Sequence, residues 1–254
     1  MTTAPDPAPT TVPAASTVPS AATTRPRRVD GLGTATAVLL GLSGLAYASS
    51  LYVDWSDYRL LSDHVSGRIT GEEFWAEYSP FAGPLSLLLV AAPFAVAAAV
   101  VLLVWVHRAR TNAGILSPGY RFRFSPAFSV GGLFVPFANY WWSRPILEDI
   151  VAGSSPHRPA DATLRLVRVW WGLLIGNAVA GLVTRYVRPE YTLTYDPDGS
   201  LVEGGREALQ GFLGIALGNT VLVLVVLPMI ALLAVIVRRV SRQQTELLFP
   251  AQRA

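Results

Sequence analysis

Four long stretches without a single charged residue constrain this chain more than any other feature: 31–53, 81–106, 169–184 and 211–237. A bilayer core is crossed by about 20 apolar residues at a rise of about 1.5 Å each. Three of the stretches meet that length. The third is shorter but is bounded by Arg168 and Arg185, whose long side chains reach outward to the headgroups. A soluble domain carries about a quarter charged residues. This chain has 15%, and the shortfall lies in these four stretches. The expected fold is therefore an all-α membrane protein with four transmembrane helices.

The rest of the chain divides around that unit. Residues 1–30 are rich in Pro, Thr and Ala and bury too little to order themselves, which predicts a disordered tail. The transmembrane domain covers 31–242, and 243–254 is a short second tail. Ala46-Tyr47-Ala48 has the form of a signal-peptidase site and Arg27-Arg28 that of a twin-arginine start. The apolar run continues past Ala48 and exceeds an ordinary signal core, so the segment is read as a retained span.

One further uncharged stretch, Phe124–Ser143, contains Gly131, Gly132, Pro136 and Asn139. Charge parity decides its treatment. With both termini cytoplasmic, residues 1–30, 107–168 and 238–254 hold 15 of the 20 basic residues, all arginine, and 6 of the 17 acids. Basic residues retained in cytoplasmic loops set orientation. A full crossing by 124–143 would invert everything after it and place most of those arginines outside. The segment is therefore expected to be re-entrant or interfacial between the second and third spans, with its backbone breaking near Gly131–Pro136. Trp105, Trp141, Trp142, Trp170 and Trp171 then fall at the inner headgroup level, and Tyr52, Trp55, Trp75, Tyr78 and Tyr186 at the outer one.

The outer loops show local order. Thr70-Gly71-Glu72-Glu73 is a capping box that predicts a short helix over Gly71–Tyr78. Tyr191–Tyr195 and Ser200–Glu203 flank turn chemistry at Asp196-Pro197-Asp198-Gly199, which predicts a small hairpin.

The middle of the chain carries a distinctive pattern. Trp105-Val106-His107-Arg108-Ala109-Arg110-Thr111-Asn112-Ala113 is followed by Ser125-Pro126. Then come Gly131-Gly132-Leu133-Phe134-Val135-Pro136-Phe137-Ala138-Asn139, Arg144, Asp149-Ile150, Ser154 and Trp170-Trp171. Over roughly residues 80–240 this resembles an actinobacterial family of multi-pass membrane proteins named domain of unknown function 4328. Ala127-Phe128 stands where that family usually has Gly-Trp, and Val151 where it usually has Trp. The resemblance implies a bacterial inner-membrane location and marks Asn112, Pro126, Pro136, Asn139 and Asp149 as motif residues. It implies no activity.

Residue chemistry suggests several roles. Arg108 and Asn112 share a helix face, and Gly114 is a natural helix C-cap. Arg108, Arg110, Arg121 and Arg123 either anchor the inner end of the second helix or form an anion site for a lipid phosphate or a phosphorylated ligand. Arg144–Ala152 reads as a short amphipathic helix capped by Ser143, with Glu148 and Asp149 on its wet face; Asp149 pairing with Arg108 or Arg110 is the alternative. Gly172/Gly176 and Gly214/Gly218 are spaced for close helix packing. Asn177 and Asn219 each follow one of these glycines, which predicts that the third and fourth helices pack directly, with the two amides facing each other; the alternative is that each amide bonds carbonyls of its own helix.

The absence of cysteine excludes thiol chemistry and disulfides, and His64, His107 and His157 have no metal-ligand spacing, so no cofactor is expected. The leading function class is a non-enzymatic scaffold, subunit or regulator. The alternative is a small-solute transporter or channel using the re-entrant segment around Pro136 and Asn139. Expected partners are the bilayer, anionic lipids at the cytoplasmic face, other membrane proteins and further copies of the chain; nucleic acid is not among them.

Overall fold

The computed structural model describes residues 25–79, 87–135, 137–156, 160–186, 192, 194–196 and 201–250. In chain order the helices are α1 (Asp30–Ala48), α2 (Ser50–Val65), α3 (Gly71–Glu77), α4 (Ala92–Leu116), α5 (Pro126–Gly131), α6 (Ala138–Gly153), α7 (Asp161–Tyr186) and α8 (Gly205–Leu248). A π-helical turn at Leu87–Ala91 leads into α4, and Gly132–Phe134 is a single 3-10 turn. Strands β1 (Thr194–Tyr195) and β2 (Leu201–Glu203) pair antiparallel in the expected hairpin, whose turn at 197–200 lies outside the described residues. Four helices are long and apolar enough to cross a membrane, so this is a multi-pass α-helical membrane protein.

The helices outrun the uncharged stretches. Ser49, between α1 and α2, keeps helical backbone angles, so the two form one rod. Ser49 and Ser50 hydroxyls donate back to the carbonyls of Ala46 and Tyr47 at that joint. At 44 residues α8 is about 66 Å long, twice the hydrocarbon core. The rod and α8 run antiparallel in constant register. Gly33 lies against Ser241, Gly44 against Leu227 and Ile230, and at the far end Asn219 donates to Asp54 (2.9 Å) and Trp55 to Thr220 (3.2 Å).

The third and fourth apolar helices, α7 and α8, do pack directly, with Thr184 beside Gly218. That register corrects the expected asparagine pair. With Thr184 level with Gly218, Asn177 lies about 10 Å deeper than Asn219 along antiparallel axes. Asn219, turned about 100° from Gly218, bonds Asp54 instead. The expectation took Gly211 as the membrane boundary of α8, whereas Asp54, Thr184 and Asn219 share one level farther along it. Gly205–Gly211 and Phe212 rise above that level and join α2 and α3, where Leu61, Phe74, Ala208 and Phe212 form a small separate core. The capping box is present, with Glu73 N–H donating to Thr70 Oγ1 (3.2 Å).

Several other expectations change. Among the described residues nothing lies within 4 Å of a Cβ built at Gly172, Gly176 or Gly214, and of the two spaced pairs Gly218 alone sits at a close helix contact. Gly33 is packed so tightly against α8 that an added Cβ would overlap the Ser241 side chain. Gly114 stays inside α4, which is capped by Ser117, three residues on. Residues 25–29, assigned to the tail, are docked with Val29 buried, while 1–24 lie outside the described residues. The second tail is helical to Leu248. Trp105 and Trp170 are core residues, not headgroup anchors.

The main core gathers at the arginine-rich end, where Trp105, Ala109, Ile146, Ile150, Val167, Ile236 and Val240 interlock. Trp105 Nε1 donates to Ser241 Oγ there (2.8 Å). Gly33→Ala should therefore force α1 off α8 and disturb that bond. A loss of about 1–3 kcal/mol is expected in a thermal or denaturant unfolding series in detergent, as for other overpacked contacts. Gly31→Ala, where nothing lies within 4 Å, should cost nothing measurable.

Candidate functional site at the arginine-rich end

Asn112, a motif residue on α4, is fully buried and sits at the centre of the polar bonding. Its Oδ1 accepts from the Arg27 backbone N–H (3.0 Å), and its Nδ2 donates to the Arg27 carbonyl (2.7 Å) and to Gln244 Oε1 (3.2 Å). Gln244 Nε2 donates in turn to the Ala109 carbonyl (2.8 Å) and Ser154 Oγ (2.7 Å). Four segments distant in sequence are thereby joined: the 25–29 segment, α4, the end of α6 and α8. Gln243 adds a bond to Ser155 (2.9 Å).

The loop from Ser117 to Phe124 is held from both sides. Arg110 is buried and points both Nε and Nη2 at the Phe124 carbonyl (3.2 and 2.8 Å), with its guanidinium 3.4 Å over the Phe122 ring. Gly153 leaves room for that ring; a Cβ there would lie 2.6 Å from Phe122 Cζ. Asp149, only 1% exposed, accepts from the Arg123 backbone N–H (2.7 Å) and pairs with Arg123 Nε (3.2 Å), and Tyr120 donates to it at 3.3 Å. Asp149 thus pairs with neither Arg108 nor Arg110, and it is not on a wet face. Glu148 takes Arg144 (2.9 Å) and Arg123 (3.2 Å). Burial pushes the Glu148 carboxyl up, but hydrogen bonds from Arg144 and Arg123, with their charges, outweigh it and hold it below the usual range.

The segment between α4 and α7 enters and leaves at one end. Phe124 lies beside Arg110, Ala127 and Val130 face Leu103–His107, and Leu133 and Asn139 reach Ala99–Leu103. The return helix α6 then brings Gly153 back to Ala113. The segment is a helical hairpin that starts and finishes at the same end of the bundle, as the re-entrant or interfacial expectation requires. Ser125 caps α5 at Pro126, accepting from the Phe128 N–H (3.2 Å). The helical backbone ends at Val135 and resumes at Ala138; Pro136 lies outside the described residues. Phe137 has φ +62°, a strained conformation for a side chain of its size, and it is exposed at the tip beside exposed Asn139 and Trp141. Helix α6 begins six residues before Arg144, so Ser143 lies inside it and is no cap. Trp171 donates to the Tyr140 carbonyl (2.5 Å) and tethers the tip to α7.

Two cavities flank the hairpin. One, of about 300 Å³, lies between α4, α6, α7 and α8, lined by Leu102, Val106, Leu147, Trp170 and Leu233, with Asn139 and the unbonded Ser143 hydroxyl as its polar groups. The other, about 450 Å³, is a groove between α4, α5 and the 25–29 segment, bordered by Arg27, His107 and Arg108. The four-arginine cluster expected from sequence is therefore split. Arg110 and Arg123 are bound internally, Arg121 is exposed on the loop, and Arg108 borders the groove beside Arg27.

Arg27, Ser154 and Gln244 were missed as site residues. Gln244 had a signal: Val237, Val240, Ser241 and Gln244 continue an i, i+3, i+4, i+7 face into the polar C-terminal run. Arg27 had none, because its partners are backbone atoms.

A family model described as Domain of unknown function (DUF4328) matches residues 80–242, and the chain belongs to that family. No curated protein and no solved structure matches the chain.

Asp149 is buried but its partner Arg123 is half-exposed, so the main cost of removing the carboxylate is the Arg123 backbone N–H left without an acceptor, about 1–3 kcal/mol. Asp149→Ala should therefore lower the unfolding temperature in detergent; a wild-type midpoint would contradict this role of Asp149. Glu148, with its folded pKa depressed, contributes fully above the ordinary glutamate value of about 4.3, and that contribution disappears as the pH falls through the lower folded value. Glu148→Gln should flatten this acid limb of the stability profile.

Proposed function

Starting from that membership, we propose that the chain is a non-enzymatic component of the bacterial inner membrane, serving as a scaffold, subunit or regulator of a membrane assembly. Both termini face the cytoplasm in this reading, so the arginine-rich end is the cytoplasmic face and meets anionic lipid headgroups. The observation that carries it is the fate of the polar groups around the hairpin. Asn112, Gln244, Arg110 and Asp149 are each engaged in bonds between segments of this one chain. Groups so bonded fix a shape, whereas a catalytic or transport site keeps polar groups aimed at a ligand path.

The cavity beside the hairpin supports the same choice over a transporter. Its described lining is apolar apart from Asn139 and Ser143 and includes no ionisable side chain. Ion-coupled transporters hold such a residue at membrane depth. The open faces of Gly172 and Gly176 on α7 suit close approach by a helix of a second copy or of another membrane protein.

The test is solute flux in liposomes containing purified protein, paired with crosslinking in native membranes. The reading expects flux of ions and small solutes equal to protein-free vesicles and a reproducible crosslinked partner. Saturable flux abolished by altering Asn139 would overturn it in favour of the transporter.

A further inference from the structure

We propose that the groove between α4, α5 and the 25–29 segment binds one anionic phospholipid, its phosphate held by Arg27 and Arg108 and an acyl chain lying on Leu103, Val104, Ala127 and Val130. The proposal rests on the orientation and lipid-facing surface proposed above and assigns them one built site.

The groove joins two chemistries at one depth. Its floor is aliphatic, from α4 and from the inward arm of the hairpin, and its rim is the last turn of the apolar stretch with two guanidinium groups. Its volume of about 450 Å³ falls within the range of ligand pockets. Arg27 and Arg108 carry no ion pair among the described residues, unlike Arg123 and Arg144, and no acidic side chain lines the groove. Guanidinium groups stay charged at any relevant pH and bind phosphate oxygens in pairs. Two such charges without a neighbouring acid attract a headgroup of net negative charge and repel the ammonium of a zwitterionic one. His107, also at the rim, adds a further donor without an acid.

Arg27 is also held in place. Asn112 bonds both its backbone N–H and its carbonyl, so its side chain projects from a fixed point beside α4. A random snorkelling arginine has no such support. The family motif thereby acquires a second consequence: Asn112 locks the bundle and presents Arg27 to the groove.

The experiment uses the full-length protein in nanodiscs of phosphatidylglycerol and phosphatidylcholine, with retained lipid counted by native mass spectrometry. One phosphatidylglycerol per chain is expected to survive removal of bulk lipid. Arg27→Gln/Arg108→Gln should weaken its retention at least about tenfold, the scale of losing two near-surface arginine–phosphate attractions. Arg121→Gln, outside the groove, should not. Val130→Trp fills the groove with both arginines intact and should also expel the lipid, with circular dichroism confirming the fold of each variant. Wild-type retention by the double variant or by Val130→Trp overturns the site while leaving a general anionic preference standing. Equal retention of phosphatidylcholine by the wild-type chain overturns the site and the lipid-facing reading together.

Discussion

An amide in a bundle that faces lipid is costly unless each of its donors and acceptors is met, and the structure meets all of them with one pair. Asn112 and Gln244 share a hydrogen bond, and every remaining amide hydrogen goes to a backbone carbonyl or to Ser154. Neither side chain reaches water, so neither has an alternative partner there. The pair fixes where α8 meets α4, where α6 ends and where the chain before α1 lies. Without it, the chain before α1 rests there on apolar packing, which in a membrane supplies little preference for protein over lipid. Among the described residues, α4, α6 and α8 then keep only the peripheral bonds of Trp105 to Ser241 and of Gln243 to Ser155.

The hairpin depends on that lock and on a second one. Its return arm is tied at the end by Ser154, in the middle by Asp149 and near the tip by Trp171. Its entry is tied by Arg110. Such ties let a strained residue persist at Phe137, since the surrounding bonds determine the backbone there. They also divide the arginines into two sets: those that hold the loop, and those left facing the groove.

The membrane architecture was legible because it follows from charge distribution, a property each stretch carries by itself. The hairpin's return to the same end was legible for the same reason, since arginine placement rules out a crossing. The depth of Asn219 was not. It depends on the register between α7 and α8, fixed by Thr184 against Gly218, and that register is set by packing along α8. Glycine spacing named Gly172, Gly176 and Gly214 but not Gly33, because spacing alone cannot tell which face meets a neighbour. The role of Asp149 was half visible: a pairing with Arg108 or Arg110 was the alternative to a wet acidic face, but Arg123, on a loop, came between it and α4.

The central claim is that the Asn112–Gln244 pair locks the hairpin and the 25–29 segment onto the bundle. Hydrogen–deuterium exchange of Asn112→Leu, which keeps the side-chain size and removes the amide, tests it most directly. Amides in 25–33 and 138–156 should exchange faster than in the wild type, while those of α3 and the 205–212 segment, in the separate core, keep their protection. Unchanged protection in 25–33 and 138–156 would contradict the account.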